Sequence, residues 1–180
     1  MVYDQNEAIE KASKIKIVIL DVHGVLTSGH ILYNDEGVKF QTFSHDDGFG
    51  ANMLMMMGIE VSMITRKSKT VAVRCEEIGV KRFYQAKDKA AKCKEIMEEM
   101  GITAEEVCFV GDEIIDMGVM RLVGFAVAPA NAVPEVKEIS HYVTTRKGGE
   151  GVLRELGEFI LRAQGKWKPL VDKVGNKGWG

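Results

Sequence analysis

Strand-like and helix-like patterns alternate along this chain, which predicts an α/β protein built on a parallel sheet sandwiched between helices. Two further observations support that class. The strand patterns, such as Ile15 to Leu20 and Val107 to Val110, are almost continuously apolar, as strands covered on both faces must be. Polar residues suited to chemistry also follow these runs at once, at the strand ends where open α/β sheets hold their ligands.

The elements follow in order. Asn6 to Ser13 reads as a short amphipathic helix and Ile15 to Leu20 as the first strand, ending in Asp21. Two β-prone arms, Ile31 to Tyr33 and Val38 to Phe43, flank the turn Asn34 to Gly37 and form a hairpin lying over the end of the first strand. Asp47 opens a helix through Met57, with Met53, Leu54, Met56 and Met57 on its apolar face and Gly58 closing it. Ile59 to Ile64 is the second strand, followed by Thr65, Arg66 and Lys67, and a helix runs from about Ser68 to Ile78. Val80 to Tyr84 is the third strand and Lys87 to Met100 a charged amphipathic helix.

Thr103 and Glu106 have capping-box spacing ahead of the fourth strand, Val107 to Val110, which leads into Gly111, Asp112 and Asp116. A helix to about Leu122, a strand Phe125 to Ala128, a short helix after Pro134, a strand Tyr142 to Thr144 and a helix from Glu150 to Gln164 complete the pattern. The segment 165–180 has lost periodicity and carries five Gly or Pro residues. It reads equally as a frayed terminus or, through Trp167 and Trp179, as a docked tail. The expected organisation is one catalytic domain over 1–164, with a hairpin flap at about 30–43, and a C-terminal tail over 165–180.

Composition narrows the function classes. The 180 residues are 46% apolar and 28% charged with a formal charge of −2, so no basic excess points to nucleic acid. The charged N-terminus lacks the apolar core of a signal peptide, and no run approaches the roughly 20 apolar residues that cross a bilayer, so the expectation is a cytoplasmic protein without a membrane partner. The three cysteines Cys75, Cys93 and Cys108 form no CxxC pair and read as reduced thiols in or near the core. His30, His45 and His141 are isolated and read as surface or loop residues.

Asp21, Thr65, Lys89 and the pair Asp112/Asp116 all fall where strands finish or helices begin, and their chemistries complement one another. Asp21 can attack phosphorus, Thr65 can hydrogen-bond a phosphoryl oxygen, Lys89 can neutralise it, and Asp112 with Asp21 can hold a divalent cation. A few oxygen ligands suit Mg²⁺ better than a softer metal. Asp116, one turn after Asp112, can ligate directly, act through water or orient Lys89.

The segments DVHGVLTSG with its hairpin, FSHDDGFG, MITRKS, YQAKDKAA, VGDEIIDMGVM, VAPANAVPEV and TTRKGGEGVLREL give the chain a resemblance to the haloacid dehalogenase superfamily. Within it, the order of these motifs over about Ile15 to Gln164 resembles the capless 3-deoxy-D-manno-octulosonate 8-phosphate phosphatases. The resemblance implies a Rossmann-like fold without a cap domain and a Mg²⁺-dependent phosphomonoesterase acting through an aspartyl-phosphate. The implied substrate is a phosphorylated sugar acid, 3-deoxy-D-manno-octulosonate 8-phosphate or a related nonulosonate 9-phosphate, in lipopolysaccharide biosynthesis. Asp21 would be the nucleophile, His23 would stand at the acid/base position, and Thr65 and Lys89 would grip the phosphoryl group. Asp21, the backbone carbonyl of His23 and Asp112 would hold Mg²⁺, with Asp116 in or behind that set. Thr27, Asp47 and Arg66 would face substrate, as could Arg146, Gly148 and Gly149, which read equally as a basic turn leading into the last helix, and the protein would assemble as a homotetramer.

Three positions depart from the family pattern. His23 stands where the family has its acid/base Asp, Arg66 follows Thr65 where a Gly is usual, and Asp46 precedes Asp47 where an Arg is usual. They motivate an alternative: a degenerate member that binds a phosphorylated ligand or partner with little or no turnover. A phospho-receiver module also uses Asp, Thr and Lys at strand ends, but wants adjacent acidic residues after its first strand, and Asp21 has no acidic neighbour.

Overall fold

The computed structural model describes residues 4–65 and 69–177. The expectations for Arg66, for a helix start at Ser68 and for Trp179 lie outside the described residues. The chain runs α1 (Gln5–Ser13), β1 (Ile17–Leu20), β2 (Leu32–Tyr33), β3 (Lys39–Phe40), α2 (His45–Met56), β4 (Glu60–Thr65), α3 (Lys69–Glu77), β5 (Arg82–Gln85) and α4 (Lys89–Met100). It continues through β6 (Val107–Val110), α5 (Met117–Met120), β7 (Phe125–Ala128), α6 (Pro134–Glu138), β8 (Tyr142–Val143), α7 (Val152–Ala163) and α8 (Trp167–Lys177). The strands of the main sheet are all parallel and ordered β5-β4-β1-β6-β7-β8, while β2 and β3 form a separate antiparallel hairpin. Among the described residues, no cap domain covers the sheet's carboxyl end.

Period-two alternation explains why the strands read as unbroken apolar runs. Val18 and Leu20 of β1 enter the core shared with α2 and α7, whereas Ile17 and Ile19 enter the core on the opposite face. Cys108 and Val110 of β6 divide from Val107 and Phe109 in the same way. Both faces are therefore dry, and the three cysteines are buried free thiols, as expected.

Two strand starts differ from the sequence reading. Ile15 and Val80 are buried and apolar, but Ile15 N donates to Ala12 O at 3.4 Å and Val80 N to Cys75 O at 2.9 Å, so each closes the preceding helix. Hydrophobicity reports burial and cannot say which partner the amide takes.

Helices α2 and α7 form the thick layer on one face. A Cβ on Gly50 would overlap the Leu153 and Arg154 backbone, so only glycine permits this approach. Gly151, at the N-terminus of α7, has no capping side chain. Asp47 supplies the cap instead, its carboxylate accepting from Gly151 N at 3.1 Å and Leu153 N at 2.8 Å. Burial pushes the Asp47 carboxyl up to about 6 while those two amides pull it back.

Residues 167–177 form a docked helix, which favours the docked reading of the tail over the described residues. Trp167, Leu170 and Val174, spaced three and four apart, pack onto the core, and Arg154 and Arg162 lie over the Trp167 ring at 5.2 and 4.9 Å. Pro169 falls in the first turn of α8, where a missing N–H breaks no helical bond. His141 is also better placed than an isolated loop residue, because its Nδ1 accepts from Ala126 N of β7 at 2.9 Å.

Two outcomes follow from these contacts. Asp47→Ala strips the α7 N-terminus of both acceptors and is expected to lower unfolding free energy by about 1–2 kcal/mol in urea titration at pH 7. Burial lowers the basicity of His141, so the unfolded chain binds a proton that the folded chain refuses. That contribution to stability is present above about 6.5 and is lost as pH falls below it. His141→Gln, compared with wild type by thermal melts between pH 5 and 8, should remove this part of the slope.

Candidate active site

Strand β1 lies between β4 and β6, so the chain departs to one side of it and later returns on the other. Such a switch point opens a crevice at the carboxyl ends of the strands. Asp21 stands there directly after β1, its amide donating to Val110 O at 2.9 Å. Thr65 ends β4, Lys89 begins α4, and Asp112 follows β6 through Gly111. Asp21, His23, Thr65, Lys89 and Asp112 all line one cleft of about 800 Å³.

The buried centre of the cleft is ionic. Lys89 Nζ lies 2.8 Å from Asp21 Oδ1 and 2.6 Å from Asp116 Oδ1, with Asp116 fully buried. Burial opposes the ammonium charge, but the two carboxylates prevail and hold Lys89 above its ordinary value. The other Asp116 oxygen accepts from Asp112 N at 3.2 Å and Glu113 N at 3.4 Å, closing the short turn Ile114–Asp116. Asp116 is thereby committed to Lys89 and to the loop that carries Asp112.

Asp112 is different. Its Oδ1 is buried without a hydrogen-bond partner, and burial, then the Asp21 and Asp116 charges, push its carboxyl up to about 7. Oxygens of Asp21, Asp112 and Asp116 lie within 4.8 Å of one another. An orphaned buried carboxylate oxygen beside two more carboxylates fits a hard divalent cation, which takes oxygen donors and offsets their repulsion.

The turn after Asp21 shapes the cleft. Gly24 has φ +83°, and a Cβ there would overlap the Asp112 carboxylate. His23, half-buried, has Nδ1 3.4 Å from Thr65 Oγ1. Burial holds the imidazole below its ordinary basicity; Asp21 opposes that shift, and the Lys39 and Lys89 ammoniums reinforce it.

Other positions expected to face substrate are held elsewhere. Asp47 is buried under α7, and its oxygens are occupied there, so it does not line the cleft. Arg146 donates to Asp46 Oδ2 at 2.8 Å and to Glu150 O at 3.0 Å, also away from the cleft. This pair also answers the charge reversal at Asp46, which is neutralised locally. Thr27 is buried, its hydroxyl accepting from Gly29 N at 3.3 Å. Gly148 and Gly149 press against the Gly24–Ser28 turn, where a Cβ on either would strike backbone, so they brace the cleft from behind.

Several cleft residues escaped the sequence reading, Asn131 and Lys39 among them. Asn131 donates from Nδ2 to Gly24 O at 3.0 Å and accepts from Gly148 N at 2.5 Å, joining the two turns. Its only signal was membership in VAPANAVPEV. Lys39 enters from the hairpin, and nothing local marked it.

Residues 60–156 match the haloacid dehalogenase-like hydrolase family. The 3-deoxy-D-manno-octulosonate 8-phosphate phosphatase of Escherichia coli K12 is 40% identical over 162 residues, 89% of this chain and 86% of that protein. The crystal structure of the Moraxella catarrhalis 3-deoxy-D-manno-octulosonate 8-phosphate phosphatase, in complex with magnesium, phosphate and KDO, superposes with TM-score 0.90 at 34% identity, covering 93% of this chain and 98% of that one. A Legionella pneumophila structure described as a putative subfamily III A hydrolase of the same superfamily gives TM-score 0.91 at 36% identity over 96% of each chain. The chain belongs to the haloacid dehalogenase-like hydrolases and, within them, to the capless 3-deoxy-D-manno-octulosonate 8-phosphate phosphatase family.

Proposed function

We propose that this protein is a Mg²⁺-dependent phosphomonoesterase that hydrolyses a phosphorylated sugar acid, 3-deoxy-D-manno-octulosonate 8-phosphate or a close relative, through an aspartyl-phosphate on Asp21. The observation that carries the reading is the buried Asp21–Lys89–Asp116 ion cluster beside the unpartnered Asp112 oxygen. Asp21, Asp112 and the His23 backbone carbonyl would hold the cation, with Asp116 behind them holding Lys89. Bound there, Mg²⁺ supplies the charge neutralisation that lets a carboxylate approach a phosphoryl dianion.

The chain's own residues perform the remaining work. Asp21 attacks phosphorus and the phosphorus–oxygen bond to the sugar breaks, while Thr65 and Lys89 hold the phosphoryl oxygens. The departing sugar oxygen takes a proton from the His23 imidazolium. Neutral His23 then accepts a proton from the water that attacks the aspartyl-phosphate, releasing phosphate and restoring Asp21. Location in the cytoplasm and homotetrameric assembly belong to the same proposal; exposed Leu32 and Phe40 on the hairpin's outer face support self-association.

The alternative, a phosphate-binding scaffold without efficient turnover, now rests on His23 and Arg66, since Asp46 is paired with Arg146 outside the cleft. Asp21→Asn should cut phosphate release by about 10³-fold or more with circular dichroism unchanged, and chelation of Mg²⁺ should do the same to wild type reversibly. Undiminished release by Asp21→Asn overturns the mechanism. His23→Ala should lower turnover by about 10²-fold. Equal rates for His23→Ala and wild type would instead favour the scaffold, with residual hydrolysis owing nothing to the imidazole.

A further inference from the structure

The hairpin's register decides which of its side chains look into the cleft. Tyr33 of β2 is paired with Lys39 of β3, and directly opposed residues project from the same face. Ile31, two residues before Tyr33, shares that face by alternation, while Leu32 and Phe40 take the other. Ile31 and Lys39 both line the cleft, so the Ile31, Tyr33 and Lys39 face is the inward one. Lys39 is therefore an ammonium carried into the cleft on an otherwise apolar wall.

Its charge is not spent. Lys89, at the cleft floor, is balanced by two carboxylates, whereas Lys39 makes no ion pair among the described residues. At about 800 Å³ the cleft is also far larger than a phosphoryl group requires, leaving room beside the hairpin for the rest of a substrate.

We infer that Lys39 is a specificity-determining residue whose ammonium receives a second anionic group of the substrate, a carboxylate, at the hairpin wall. The inference rests on the phosphatase reading and adds to it the requirement for two negative groups, one at Asp21 and one at Lys39. Ser28 and Gly29 also line the cleft and leave room for a hydroxylated carbon chain between the two anionic groups.

The test compares a phosphorylated sugar acid, 3-deoxy-D-manno-octulosonate 8-phosphate, with a carboxylate-free ligand, mannose 6-phosphate. Lys39→Met should raise KM for the sugar acid about fivefold to tenfold, with KM for mannose 6-phosphate and kcat for both within about twofold, and Lys39→Arg should restore the sugar-acid KM. A parallel rise for both substrates, or no rise for either, overturns the assignment. Calorimetric binding of the same two ligands to Asp21→Asn, with and without Lys39→Met, separates this result from the phosphatase reading. Absence of phosphate release by wild type would sink the phosphatase reading alone. The Lys39 assignment then stands on a selective loss of sugar-acid affinity, and falls if affinity is lost for both ligands, for neither, or is absent from the start.

Discussion

The buried ammonium of Lys89, held between Asp21 and Asp116, is the interaction on which the site depends. Three carboxylates within 4.8 Å of one another would repel strongly in a dry crevice, and among the described residues Lys89 is the cation paired inside that group. Each partner has a second duty. Asp116 closes the turn that presents Asp112, and Asp21 is anchored at the end of the central strand through Val110. Position and charge are thus set by one network, which suits a reaction in which positioning and electrostatics supply most of the catalysis.

Around this centre, backbone contact replaces side-chain bulk. Gly24 leaves space for Asp112, and Gly148 and Gly149 let the loop before α7 press on the Gly24–Ser28 turn. Asn131 ties the two turns with one side chain, donating to one backbone and accepting from the other. Asp47 fixes that loop from the opposite end by capping α7. The cleft is shaped by a frame reaching to α2 and α7, so residues that never meet substrate still define its geometry.

Much of this was legible from sequence because it is written locally. The apolar runs, the Gly punctuation and the carboxylates directly after strands each report on their own neighbourhood, and the strand order needed only parallel pairing around β1 to bring Asp21, Thr65, Lys89 and Asp112 together. The tail was less readable, since Pro and Gly masked the spacing of Trp167, Leu170 and Val174. Asp47 and Arg146 were also opaque, because a carboxylate that caps a distant helix looks in sequence like one that binds a ligand.

By itself, then, the sequence determined the α/β architecture, the strand-end carboxylates and the exchange of Asp for His at position 23. Tertiary structure alone decided which polar groups share one cleft, which are consumed by caps and ion pairs, and that Lys39 reaches in from the hairpin. The physical reason is range. Burial and helix or strand periodicity are set by neighbours along the chain, whereas the partner of a charged or hydrogen-bonding side chain is chosen across distances of about a hundred residues, as between Asp47 and Leu153 or Asn131 and Gly24.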